Sequence, residues 1–164
     1  MKIMKTMKVI CLLLFSVAAA TGQASAQEQK YEVGSRVKVF QANDQHGRAY
    51  KLDGNTRYLL LSFDMGTGKV ANAALTKKGK DYFGQKKVAY VANIHGMPGI
   101  GRFFAFRKMK KYNHRIIYGD DANLMTPFPE KKDHVTVLKL NSKQKVLRIS
   151  YWEPKKEDLE KHLK

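Results

Sequence analysis

Two short apolar runs, Tyr58 to Phe63 and Val88 to Ile94, constrain this chain more than any other feature, because neither contains a charged residue. Each is shorter than an ordinary helix and is closed by turn formers. Asp53-Gly54-Asn55 precedes the first, Gly66 and Gly68 follow it, and His95-Gly96-Met97-Pro98-Gly99 ends the second. Runs of this length without polar alternation read as strands buried on both faces. Between them, Lys69 to Phe83 has helical composition, with Val70, Ala73, Ala74 and Leu75 near its start and lysines toward its end, where cations suit the helix dipole. A strand, a helix and a second buried strand predict a right-handed crossover that makes the two strands parallel neighbours.

The flanking segments extend this unit. Val37 to Phe40 and Ala49 to Leu52 enclose the turn-rich Asn43-Asp44-Gln45-His46-Gly47 and predict an N-terminal β-hairpin. A helix is expected from about Ile100 to Lys111, a short strand at Arg115 to Tyr118, and a loop from Gly119 to Lys132 containing Pro127 and Pro129. His134 to Leu140 and Val146 to Trp152 alternate apolar with polar residues across Asn141-Ser142-Lys143, as a final hairpin does, and Pro154 opens a charged helix to Leu163. The whole predicts an α/β domain with a four- or five-stranded mixed sheet and helices on both faces.

Residues 1–26 read as an export signal. Lys2, Lys5 and Lys8 precede the apolar stretch Val9 to Ala20, and Ala24-Ser25-Ala26 offers a small-residue cleavage site. The apolar stretch is short for a membrane span, and no later segment approaches the ~20 apolar residues that a spanning helix needs. Processing leaves one domain, residues 27–164, with no cysteine, since Cys11 is the only one in the chain. The formal charge of +17 falls to +14 with the loss of the three leader lysines. Such a charge favours anionic partners: lipid headgroups, cell-wall polymers, acidic proteins or nucleic acid. Outside the cytoplasm, nucleic acid is the least available of these. The expected location is the periplasm or the extracellular space, and the expected partner an envelope protein or an anionic surface.

A more specific likeness rests on three segments. Asp44-Gln45-His46-Gly47 with Leu52 downstream, the strand end Leu61-Ser62-Phe63, and the pair Val135-Thr136-Val137-Leu138-Lys139-Leu140 and Val146-Leu147-Arg148-Ile149 resemble the thioredoxin-like superfamily. The match is to its exported thiol-disulfide and peroxiredoxin-related branch, over roughly residues 33–163. The resemblance implies a thioredoxin-like three-layer sandwich with an N-terminal hairpin extension. It sets the Cys-x-x-Cys positions near Gly68 and Ala71, or the peroxidatic cysteine at Val70 in Thr67-Gly68-Lys69-Val70. None of these can form a thiolate, the nucleophile of thiol-disulfide exchange. The cis-proline expected before the penultimate strand is also missing, for the chain reads His134-Val135-Thr136 there. The expectation is a redox-inactive binding or accessory module, with no reductase or peroxidase activity and no cofactor.

The candidate binding edge gathers Asp64, Thr67, Lys69, His95, Met97 and His134, from segments 64–69, 95–101 and 133–136. Open α/β sheets place ligands at the C-terminal ends of their strands. Gly66-Thr67-Gly68-Lys69 lacks the first glycine and the Ser/Thr of a phosphate-binding loop, so it reads as a glycine-rich helix start. Asp64 is either a ligand-contacting carboxylate or a helix cap. An alternative function is a non-thiol enzyme using Asp64, His95 or His134, a reading that an acid–base pair within about 3 Å of each other, or of a shared water, would favour. His46, His95, His114 and His134 lack metal-ligand spacing, and no metal site is expected. A second candidate surface is the basic helix carrying Arg102, Arg107, Lys108, Lys110 and Lys111. Its Phe103, Phe104, Phe106 and Met109 are expected to face inward and its cations to meet an anionic surface.

Overall fold

Residues 29–164 are described by a computed structural model; the expected leader and Cys11 lie outside the described residues. β1 (Gln41–Asn43) and β2 (Ala49–Lys51) form a small hairpin sheet. β3 (Tyr58–Ser62), β4 (Val88–Asn93), β5 (Ile117–Gly119), β6 (Val135–Leu140) and β7 (Val146–Trp152) form a five-stranded sheet in the order β5-β4-β3-β6-β7. β3 and β4 are parallel, in register from Tyr58 opposite Val88 to Ser62 opposite Ala92. β5 extends the parallel part beyond β4, while β6 and β7 add antiparallel strands beyond β3. The crossover between the two apolar runs passes through α1 (Met65–Thr76) and the single-turn α2 (Tyr82–Lys86).

Successive strand residues face opposite sides of a sheet, so a continuously apolar strand must be covered twice. Leu60, Tyr90 and Ala92 pack on one side with Ala71 and Leu75 of α1, Tyr82 and Phe83 of α2, Trp152 and Leu159. Leu59, Leu61, Ala89 and Val91 pack on the other with Val37, Leu52, Phe128 and Met125, the last from α4 (Ala122–Met125). Helices α1 and α2 with the 3-10 turn Leu159–Lys161 therefore cover one face. The N-terminal segment, the hairpin and α4 cover the other.

Several boundaries differ from the sequence reading, each for a local reason. α1 begins at Met65, four residues before Lys69, because Asp64 caps it: the backbone there is extended and Oδ1 accepts the Thr67 N–H at 2.8 Å. The helix stops at Thr76, and Gly79, at φ +89°, turns the chain before α2 starts. Val37 to Phe40 is not the first hairpin strand. Val37 is buried under the sheet and donates its N–H to the Gln144 carbonyl at 3.0 Å, which ties the N-terminal segment to the β6–β7 turn. The loop after β5 contains α4, capped by Asp121 through the Asn123 N–H at 2.8 Å. The expected helix from Pro154 to Leu163 is replaced by turns and one 3-10 turn. There the Asp158 side chain accepts the Glu160 N–H at 2.8 Å, a local bond that competes with helix continuation. Leu159 and Leu163 still reach the core.

Gly54 is required by close approach rather than by its backbone angle. A Cβ at this position would stand 2.7 Å from the Ser142 carbonyl oxygen, where the turn before β3 meets the β6–β7 turn. Gly54→Ala should therefore lower unfolding stability by about 1–3 kcal/mol through overpacking. Gly84→Ala, in α2 with open space around it, should leave stability unchanged or raise it by up to ~1 kcal/mol. Urea denaturation of the two variants checks the contrast; equal midpoints would contradict the packing argument.

Candidate functional site

β3 and β4 end at the same sheet edge, and each hands the chain to a helix: α1 after β3, and α3 (Gly99–Met109) after β4. The space between α1 and α3 is a groove of about 340 Å³ with mainly apolar walls. Met65 and Lys69 stand on the α1 side, Met97, Phe104 and Lys108 on the other, with Ser62 and Asn93 on the floor. Ser62 Oγ and Tyr90 Oη lie 2.8 Å apart, and Tyr90 is fully buried. Burial pushes the Tyr90 phenol pKa up, so this contact stays one between two neutral hydroxyls.

The candidate edge is only partly assembled here. Asp64, Lys69 and Met97 line the groove. Thr67 is buried beneath the first turn of α1. His95 is exposed and turned toward β5, its Nδ1 3.1 Å from the Asp120 carbonyl. His134 precedes β6, with Nδ1 2.6 Å from the Lys132 carbonyl and Nε2 3.9 Å from Glu153. Neither histidine lines the groove, and Asp64, His95 and His134 do not bond one another. Burial raises the Asp64 pKa, but hydrogen bonds from Thr67 and Gly66 outweigh it and hold the carboxyl below its ordinary value. Among the described residues, no three His, Cys, Asp or Glu side chains gather as a metal site.

The positions that the resemblance assigns to thiols lie within α1. Gly68 and Ala71 are both buried, and a Cβ on Gly68 would stand 3.3 Å from Ser62 Oγ and 3.7 Å from Tyr90 Oη. A side chain at residue 68 would therefore press on Ser62 Oγ and stand in ordinary contact with Tyr90 Oη. The peptide before Val135 is trans.

No protein-family model matches the chain, and no curated protein matches it in sequence. Solved structures do match in shape. The thioredoxin domain of a thiol-disulfide oxidoreductase from Bacteroides vulgatus superposes with a TM-score of 0.53 at 14% identity, covering 82% of this chain and 100% of that one. A peroxiredoxin-like protein from Aquifex aeolicus gives 0.55 at 10% identity over 84% and 86% of the two chains. The mitochondrial 2-Cys peroxiredoxin from Plasmodium falciparum gives 0.52 at 12% identity over 80% and 90%. The fold is thioredoxin-like.

One helix of this thioredoxin-like domain corrects the sequence reading. In α3 the side chains at Arg102, Ala105, Phe106 and Met109 are half-buried, whereas Phe103 and Phe104 are 59% and 64% exposed and Ile100 is 79% exposed. Only Phe106 and Met109 of the four expected inward residues face the domain. Phe106 stacks on Tyr118 at 4.5 Å, and Arg102 pairs with Asp120. Arg102 thus helps hold the helix down, while Arg107, Lys108, Lys110 and Lys111 are exposed. The period of the helix decides this: positions 102, 105, 106 and 109 share one face, and 100, 103 and 104 fall on another.

Sequence reasoning missed the polar lock beneath the groove. Asp44, 1% exposed, accepts the backbone N–H groups of His46 and Arg48 through Oδ1 at 2.9 and 3.0 Å. Its Oδ2 accepts Nε–H from Arg48 and Arg115, each at 2.9 Å. Gln45 behaves as a strand residue toward the chain before β5. Its Nε2 donates to the His114 carbonyl and its Oε1 accepts the Ile116 N–H, both at 2.7 Å. The His114 ring continues the path inward: Nε2 lies 2.8 Å from Asn72 Oδ1, and Nδ1 is buried without a partner. The Asp-Gln motif was the one visible signal of this lock, but its partners lie about 70 residues away in sequence.

The lock has two separate acid sensitivities. Burial pushes the His114 pKa down to about 4 from 6.5, so the unfolded chain binds a proton there before the folded one does. Stability should therefore fall as pH drops from about 6.5 to about 4, and His114→Gln should flatten that part of the profile. Burial raises the Asp44 pKa, but the Arg48 and His46 hydrogen bonds prevail and lower it below 3.8. Its contribution is present above the unfolded pKa and is lost at still lower pH, as pH falls through the folded value. Asp44→Ala should cost about 2 kcal/mol near neutrality. Urea midpoints across pH for both variants check this; an unchanged slope in His114→Gln would refute the histidine assignment.

Proposed function

We propose that this domain is an exported, redox-inactive thioredoxin-like binding module, and that it holds an acidic, apolar-bearing segment of an envelope protein in the α1–α3 groove. The observation that carries the reading is the groove itself. It lies at the strand ends where α/β sheets place ligands, and it has apolar walls, a lysine on each side and no nucleophilic thiol. Lys69 and Lys108 favour a carboxylate-bearing partner, and the space between Met65, Met97 and Phe104 suits an inserted apolar side chain. Residues 27–164 contain no cysteine, and only a thiolate performs disulfide exchange. The basic start, apolar stretch and Ala24-Ser25-Ala26 support export. Asp64, His95 and His134 each bond a different partner, which favours binding over non-thiol catalysis.

Purified residues 27–164 should reduce insulin and consume peroxide no faster than a heat-treated control; activity above that control would overturn redox inactivity. A photo-crosslinker placed at Met97 should give a discrete adduct with one envelope protein in the native envelope, and Lys69→Glu with Lys108→Glu should abolish it. Absence of an adduct at Met97, or an adduct indifferent to the charge reversals, would count against the groove.

A further inference from the structure

The outward face of α3 is a continuous stripe at helical spacing, Ile100, Phe103, Phe104, Arg107 and Lys108, and Lys111 follows it in the turn after the helix. Its first half is apolar and its second half cationic. Ile100, Phe103 and Phe104 are each more than half exposed, and the two phenylalanine rings meet edge to face at 5.7 Å. Arg107 lies with its guanidinium carbon 5.7 Å from the Phe103 ring. Among the described residues, no carboxylate pairs with Arg107, Lys108, Lys110 or Lys111, although other surface cations such as Lys78, Lys86 and Arg115 have partners. The helix is anchored by its other side, through Arg102 with Asp120 and Phe106 on Tyr118, so the stripe is not needed to hold it in place.

We infer that this stripe docks the domain on an anionic phospholipid bilayer, with Ile100, Phe103 and Phe104 entering the acyl boundary and the cations meeting phosphates. This goes beyond the groove reading and does not depend on it. The occupant follows from charge and shape. Phe104 and Lys108 also border the groove, but Ile100, Phe103, Arg107 and Lys111 lie outside it, and this outer side of the helix suits a broad, deformable layer better than an inserted peptide. Its unpaired cations call for dense negative charge, and the large apolar side chains beside them call for a phase that accepts hydrocarbon. An anionic bilayer offers both at one depth, with basic stems lying along the apolar region and their heads in the headgroup layer. A soluble acidic polymer offers only the first.

The two halves of the stripe predict two separable components. Charge attraction at an anionic leaflet amounts to about fivefold in affinity per cation and is screened over about 8 Å at physiological salt. Arg107→Gln with Lys108→Gln and Lys111→Gln should therefore weaken binding to phosphatidylglycerol-containing vesicles about a hundredfold at low salt. Phe103→Ser with Phe104→Ser should remove the binding that survives high salt. Both variants alter exposed residues, and circular dichroism confirms that each is folded. Insertion is read directly with Phe103→Trp, since the native Trp152 is 1% exposed and supplies a constant background. Its emission should shift to the blue with phosphatidylglycerol vesicles and be quenched by brominated acyl chains, but not with pure phosphatidylcholine vesicles at high salt. Absence of vesicle binding at low salt, or binding without quenching, would overturn the inference, the latter meaning adsorption by charge alone. Dimerisation without vesicle binding, lost in the Phe103→Ser, Phe104→Ser variant, would assign the stripe to a second copy and overturn it as well. Disulfide reductase activity would sink the proposed function and leave this inference standing.

Discussion

The pairing of β3 with β4, parallel and covered on both faces, is the constraint from which the rest of the molecule follows. Two adjacent strands without a polar face cannot lie at a surface, so β5, β6 and β7 extend the sheet beside them while helices, the hairpin and the N-terminal segment cover its two faces. Parallel alignment also brings both C-terminal ends to one edge, where α1 and α3 leave in sequence and open the groove between them. The groove is thus a consequence of chain direction rather than a feature added to the sheet. Ser62 and Asn93, the last residues of the two strands, form its floor.

A polar path keeps this edge in place from below. Asp44 and Gln45 fasten the hairpin to the chain before β5, the His114 main chain and ring carry the contact across, and Asn72 of α1 receives it beside the groove. The segments joined in this way are far apart in sequence and lie on different sides of the sheet. Buried polar groups are costly unless bonded, so a path of this kind specifies one arrangement of hairpin, sheet and helix. Its weak link is the unpartnered His114 Nδ1, which can stay buried only while the ring is neutral.

α3 divides its residues between attachment and display. With Phe106 on Tyr118 and Arg102 on Asp120, its inner face is a modest anchor beside the five-stranded sheet. Its outer face leaves apolar and cationic groups uncovered. Large exposed hydrophobic groups rimmed by charge mark interaction surfaces more often than they mark defects of folding. The groove and the stripe share Phe104 and Lys108, so a partner in one lies next to a contact through the other.

The sequence alone determined the order of the sheet strands and the crossover between the first buried pair, the central position of the two apolar runs and the absence of a thiol from residues 27–164. These are local or compositional properties: the length of a run, its periodicity, the turn residues beside it, the presence or absence of sulfur. The tertiary structure decided what depends on which surfaces meet. Asp64 became a cap because the chain leaves β3 in an extended conformation that aims its carboxylate at the Thr67 N–H. Asp44 and Gln45 acquired partners about 70 residues away that no spacing along the chain could reveal. Phe103 and Phe104 turned outward because the helix meets the domain along the line of residues 102, 105, 106 and 109. A sequence of mixed aromatic and basic residues is compatible with several rotations of that helix, and only contact with Tyr118 and Asp120 selects one.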